Sequence, residues 1–278
     1  MSFEKLFLSL LSLVLNFSSL NIKTPIEENS SSADCLSKHL EEAWVMLPTG
    51  RLISNEKLSH NVCVDTNTVS VSVWDYLLEK YKNDPKVKQL VFVKYTRFYQ
   101  ADIYLYNKEH NNEWNLVKSC EGYVGPKGIG RSSINYDRTP SGDFAITLAF
   151  GTDPNPGTAL QYLQINENLY CCGDPGKYFN KIINAKALNH DCNGEHLIDY
   201  SVPYNFGFWF DYNKECKFEN GYAFFFHCAG EKKYTGGCIA VEKNDMIDIL
   251  KYLTNDSRIC IFDKECTLDV DTGILNGS

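Results

Sequence analysis

A histidine and a cysteine stand eleven residues apart in residues 224–241, which read FFFHCAGEKKYTGGCIAV. A thiol attacks a carbonyl only as its thiolate. Its ordinary pKa of about 8.5 leaves little thiolate at neutral pH, so a nearby base must take the proton. Histidine is the side chain best suited to that work. His227 closes an apolar run that reads as a strand, and Cys238 opens the next one. Between them lies the turn Thr235, Gly236, Gly237. Glycines there let a substrate approach the backbone closely, and the N–H groups of Gly237 and Cys238 can point together at a developing oxyanion. The Thr235 hydroxyl can anchor the loop. The same spacing also suits a histidine that merely ends a strand and a cysteine that serves as a disulfide partner.

Such a pair needs strands to hold it, and the chain supplies them. Its 278 residues, 44% hydrophobic and 13% aromatic, suffice for one large domain, or one with a smaller annex, and argue against disorder. The net charge of −8, with no stripe of Lys or Arg, argues against nucleic acid as a partner. Residues 89–95, 101–107 and 112–120 are β-branched and aromatic runs with period-two alternation, the pattern of a meander. Residues 205–213, 221–230 and 258–263 read as further strands, and residues 139–151, TPSGDFAITLAFG, as a turn followed by a strand. The glycine-dense residues 122–133 read as a loop; their G-x-G lacks the strand-to-helix setting of a nucleotide cradle. Helical spacing occurs in residues 34–45, 74–81 and 244–254. The expected fold is mainly β, a mixed-sheet sandwich or barrel-like domain with a few short helices.

Residues 6–15 form an apolar run behind Lys5, the length of a signal-peptide core and short of the roughly 20 residues that span a bilayer. Residues 1–21 therefore read as a secretory leader, with an N-terminal anchor that stays uncleaved as the alternative, and the chain as secreted or held in the cell envelope, with no stable membrane insertion once mature. Residues 22–85 read as an N-terminal annex and linker. In an oxidising compartment the 11 cysteines would pair as five bridges with one thiol over. Cys260 and Cys266 are a candidate pair, and the adjacent Cys171 and Cys172 would serve two separate bridges. No C-x2-C pair occurs, so no metal is expected.

The motif around Cys238 resembles that of the L,D-transpeptidase (YkuD-type) catalytic domain. That family places a histidine at a strand end, then a loop, then S/T-x-G-C-[I/V], matched here by His227, Thr235, Gly237, Cys238 and Ile239. Its T-P-x-G-x-F mark stands here as Thr139, Pro140, Ser141, Gly142, Asp143 and Phe144. The stretch from Gly194, GEHLIDYSVPYNFGFWFDYN, is similar to that of one secreted subgroup. The likeness covers roughly residues 88–262. It departs at Gly236, where most members have histidine, at Ala240, where many have arginine, and at Cys228.

The resemblance implies a catalytic domain over residues 86–263 with a tail over 264–278. It implies a thioester between Cys238 and a peptidoglycan stem peptide, with His227 as general base and acid and the Gly236–Gly237 turn as oxyanion loop. The acyl group would pass to an amine or to water, with no metal or cofactor. Glu195, His196 and Tyr234 are candidate substrate contacts. Lys127, Arg131 and Tyr136 could meet the substrate, although for each an ordinary loop or packing role also serves. Acylation would fall as the pair protonates below about pH 6. The rival is a catalytically inactive, disulfide-rich, secreted wall-binding or host-interaction protein, which the many cysteines and the motif's departures favour. A hydrolase or ligase using the same site on a non-wall peptide is a further rival. The sequence leaves the oligomeric state open.

Overall fold

The computed structural model describes residues 44–46, 52–54, 64–65, 68–133, 137–270 and 272–277. The chain divides into two compact units, Met1–Ser59 and His60–Ser278. In the first, Trp44–Met46 pairs antiparallel with Leu52–Ser54. The leader and most of the helix expected over residues 34–45 lie outside the described residues. The last two positions of that expected helix are strand instead.

The second unit is built on nine strands: β1 (Gln89–Arg97), β2 (Gln100–Lys108), β3 (Trp114–Tyr123), β4 (Gly142–Gly151), β5 (Tyr162–Gln164), β6 (Gly207–Phe210), β7 (Phe225–Cys228), β8 (Ile239–Val241) and β9 (Ser257–Asp263). Eight of them close into a mixed barrel in the order β4-β6-β7-β8-β3-β2-β1-β9 and back to β4, with β5 added parallel to β4 outside the ring. The meander β1-β2-β3 is antiparallel, as its alternation requires. Closure depends on β4. Its first half pairs with β9 through Gly142↔Ile261 and its second half with β6 through Phe150↔Gly207, with an irregularity between Ile146 and Leu148. A bulge of that kind bends a strand enough to serve two neighbours.

Side-chain alternation sorts the core into layers. Val91, Val93, Ala101, Ile103, Leu105, Phe208, Phe226, Ile239 and Val241 fill the barrel. Helix α1 (Val73–Lys82) lays Val73, Trp74 and Leu77 over the outer face of β1, where Leu90 and Phe92 wait, so β1 is apolar on both faces. Ser72 caps the helix by accepting from Trp74 N at 3.3 Å, with Asp75 in the first turn and Lys80 and Lys82 in the last. Helix α2 (Ala185–Leu188) lies in the segment between β5 and β6. Helix α3 (Lys243–Tyr252) packs Met246, Ile249 and Leu250 against the barrel. Among the described residues, no helix is long and apolar enough to cross a membrane. Residues 267–269, in the expected tail, pair with Ser70–Ser72.

The nine described cysteines are all free thiols, which corrects the expectation of bridges among them; Cys35 and Cys63 lie outside the described residues. Several of these sulfurs serve as packing atoms. Cys228 faces the barrel interior, and Cys260 and Cys266 lie beneath α1 with Trp74 and Phe262.

Candidate functional site

Strands β7 and β8 run parallel, with Phe226 opposite Ile239 and His227 opposite Ala240. Phe226, Cys228, Ile239 and Val241 face into the barrel. Alternation therefore turns Phe225, His227 and Cys238 outward. A third apolar cluster receives them there: Phe150, Leu169, Leu197, Tyr204 and Ala223 pack with Phe225 and Cys238, and the Tyr204 ring meets the His227 ring edge-on at 5.3 Å. Leu169, Leu197 and Tyr204 come from the long segment between β5 and β6, Phe150 from β4 and Ala223 from the loop before β7. In that segment Leu169–Cys171 is the central strand of a small sheet, flanked by Ile182–Asn184 and Glu195–His196. His227 and Cys238 thus share one cavity of about 740 Å³ between the barrel wall and the segment, lined also by Glu195, Tyr204, Ala223 and Thr235.

The hydrogen bonds define a resting state. Cys238 Sγ accepts from Phe225 N at 3.4 Å and donates to Ala223 O at 3.2 Å. His227 Nδ1 lies 2.8 Å from Cys228 O. A carbonyl only accepts, so Nδ1 carries the proton and Nε2 keeps the lone pair of the neutral ring. Among the described residues no hydrogen bond joins Cys238 to His227. The two share a face and a cavity, and the thiol must turn from Ala223 O to reach the imidazole.

Burial sets the protonation of this cavity. It pushes His227 down to about 4, opposed by the bond to Cys228 O. It pushes the Cys238 thiol well above its ordinary value, with the charge of Glu195 adding to the effect and the Phe225 N–H opposing it. It lifts Glu195 to about 7, against the hydrogen bond that Tyr204 Oη donates at 2.6 Å. Near neutrality the cavity therefore holds a protonated thiol and a neutral imidazole.

The loop carrying Cys238 is held by two threonines. Thr235 Oγ1 donates to Cys238 O at 2.6 Å and accepts from Gly237 N at 3.1 Å. Thr139, the first residue of T-P-x-G-x-F, is fully buried; its Oγ1 donates to Cys238 O at 3.0 Å and accepts from Gly125 N at 3.0 Å. Gly237 has φ +129°, and a Cβ there would lie 2.8 Å from Phe224 Cε1 and 3.0 Å from Arg138 O, so only glycine fits. A Cβ on Gly236 would meet nothing within 4 Å. Ala223, the acceptor of the thiol proton, sits at φ +60°, a strained value for a residue with a side chain, and Asn180 Oδ1 accepts from its N–H at 3.2 Å.

Of the candidates named from sequence, Glu195, Tyr234, Thr235 and Gly236 line the cavity with the Cys/His pair. His196 does not. Its Nε2 lies 2.9 Å from Glu167 O and its Nδ1 3.0 Å from Asp199 Oδ2, and it stacks on Tyr170 at 4.3 Å. Alternation along the strand sends Glu195 inward and His196 away. Lys127 pairs with Asp137 at 3.8 Å, Arg131 is exposed, and Tyr136 lies outside the described residues. Tyr204 and Ala223 went unnoticed in the sequence; for Tyr204 the faint signal was a lone tyrosine between Pro203 and Asn205 behind the E-H-L stretch. A second group of polar side chains, Cys172, Asp174, His190 and Cys192, gathers elsewhere in the segment between β5 and β6.

Fold and site together define a mainly β, mixed-barrel protein with a free, buried thiol and a neutral histidine in one cavity on its outer face. No protein-family model matches the chain, and no curated protein matches it. Among solved structures it is similar to Pgp2, a helical cell shape determining protein of Campylobacter jejuni, at 13% identity and a TM-score of 0.34, over 68% of this chain and 55% of that one. A point variant of Pgp2 gives 14% identity and a TM-score of 0.37, over 68% and 54%. The chain thus spans about half the length of those it resembles.

Proposed function

We propose that this chain is a secreted, cysteine-dependent acyltransferase of the L,D-transpeptidase type, acting on peptidoglycan stem peptides in the cell envelope. The observation that carries the proposal is an unbridged Cys238 sharing a cavity with a histidine whose Nε2 lone pair is free near neutral pH. The domain limits from sequence, a leader over residues 1–21 and a catalytic domain over 86–263, form part of the same proposal.

In the proposed reaction the Cys238 thiol leaves Ala223 O and passes its proton to His227 Nε2. Its sulfur attacks the carbonyl of the third stem residue. The developing oxyanion is met by the Cys238 N–H, since the Gly237 N–H is engaged by Thr235 in the resting loop. The bond to the terminal D-alanine breaks, and its amine leaves with the proton from His227. An amine or a water then resolves the thioester through the same imidazole. A neutral pair makes proton transfer and attack concerted, because an isolated thiolate in this buried setting is disfavoured. Glu195, while protonated, adds no negative charge beside the sulfur. Tyr234, exposed and lining the cavity, would meet the stem peptide.

The test is to incubate the full chain with a stem tetrapeptide and weigh it intact. An adduct equal to the tripeptide acyl group, absent from Cys238→Ala, supports the proposal. An adduct that persists in Cys238→Ala removes Cys238 from the mechanism. The bond of the thiol to Ala223 O, rather than to His227, favours the second reading, a wall-binding protein without catalysis. That reading requires retention on purified wall material with no adduct at any pH.

A further inference from the structure

Cys172, Asp174, His190 and Cys192 line no part of the Cys238 cavity and take no part in the chemistry proposed for it. Cys172 and Asp174 follow the strand Leu169–Cys171, and Cys192 precedes the strand Glu195–His196. The two strands pair antiparallel through Tyr170↔His196 and Cys171↔Glu195, which brings C-x-D and H-x-C face to face. Glycines permit the approach. A Cβ on Gly194 would lie 2.1 Å from Cys171 O, and one on Gly173 would lie 2.7 Å from Asn193 O. His190 is delivered by the end of α2, where Asn189 adopts a left-handed conformation and His190 N donates to Ala185 O at 3.0 Å.

The ligand atoms of all four residues lie within 4.8 Å of one another. Cys172 Sγ is 3.5 Å from His190 Nε2 and 3.7 Å from Asp174 Oδ2, and His190 Nε2 is 3.3 Å from Asp174 Oδ2. A zinc ion held tetrahedrally at its usual bond lengths sets ligand-to-ligand edges of about 3.5 Å for S–N, about 3.6 Å for S–O and about 3.4 Å for N–O. The three separations match those edges to about 0.1 Å. The carboxylate is also oriented from outside the cluster: Asn193 N donates to Asp174 Oδ2 and Asn193 Nδ2 to Oδ1, each at 3.0 Å. Outer partners of this kind hold metal ligands in place.

We infer that Cys172, Asp174, His190 and Cys192 form a structural zinc site. Two thiolates, an imidazole and a carboxylate, three of them already at tetrahedral edges and Cys192 within 4.8 Å, suit zinc better than the harder divalent ions, and four protein ligands leave no position open for a substrate. The ion clips together the two strands of the segment that carries Glu195, and so braces the wall facing Cys238.

The test is zinc content by elemental mass spectrometry on the full chain, with binding measured by competition against a chromophoric chelator. About one zinc per chain is expected in the wild type and in Cys216→Ser, a cysteine outside the cluster. Less than a tenth of that is expected in Cys192→Ser. Asn193→Ala keeps every ligand and is expected to bind zinc about 10–100-fold more weakly, which tests the site even if Cys192→Ser does not fold. Zinc retained in full by Cys192→Ser, undiminished affinity in Asn193→Ala, or a metal-free wild type with Cys172 and Cys192 joined as a disulfide each overturn the inference. None of these readouts uses the reactivity of Cys238, so the site stands or falls apart from the proposed function.

Discussion

Acidification should act on the site cavity through two groups of opposite sign. His227 has a folded-state pKa near 4 against an ordinary 6.5. Between those values the unfolded chain holds the extra proton, so stability is fully present above pH 6.5 and is lost as pH falls toward 4. At about 1.4 kcal/mol per pH unit, the loss is about 3 kcal/mol. Glu195 runs the other way, at about 7 folded against 4.5. Between those values the folded chain holds the proton, so stability is lost as pH rises from 4.5 to 7, by a similar amount. In the wild type the two largely cancel. Urea unfolding at half-unit steps from pH 4 to 8 separates them. Glu195→Gln leaves the histidine alone and should lose about 3 kcal/mol on acidification from 6.5 to 4. His227→Asn leaves the carboxyl alone and should gain stability from 7 down to 4.5. Both variants tracking the wild-type profile would refute the reasoning, because neither group would then be buried as the cavity requires.

Thr139→Val removes the acceptor of a buried N–H, that of Gly125, and one of two hydroxyls on Cys238 O. An orphaned N–H costs about 1–3 kcal/mol, so thermal unfolding should fall by about 3–10 °C, with slower acylation at Cys238. Gly236→Ala should be close to neutral in the same melt, whereas Gly237→Ala should cost about 2 kcal/mol or more from its positive φ and the contact with Phe224. Acylation should hold from about pH 5 to 7 and decline above 7 as ionised Glu195 disfavours negative charge on the sulfur, and Glu195→Gln should remove that decline in a rate profile.

Much of the site could be read from local pattern. Alternation through Phe226, His227 and Cys228 already set the histidine and the thiol on one face once β7 and β8 were neighbours. The meander, the helices near residues 74–81 and 244–254, and the barrel-like class followed from periodicity. What eluded the sequence depends on contacts distant along the chain. The T-P-x-G-x-F likeness marked Thr139, but its hydrogen bond to Cys238 O spans 99 residues and could not be read from the motif. Glu195 and His196 looked equivalent until pairing with Tyr170 and Cys171 chose which faced the cavity. The cysteine count suggested bridges, but burial turned several sulfurs into packing atoms. The zinc ligands were passed over because their spacings are C-x-D and H-x-C rather than C-x2-C, and only the strand register brings them together.

The most direct measurement is the rate at which a stem tetrapeptide acylates the native, unreduced chain, with the modified residue located by peptide mapping and His227→Asn run beside the wild type. The account expects the label on Cys238 alone and a rate at least 100-fold lower in His227→Asn, the scale of a lost general base. A label on another cysteine, or an undiminished rate in His227→Asn, would contradict it.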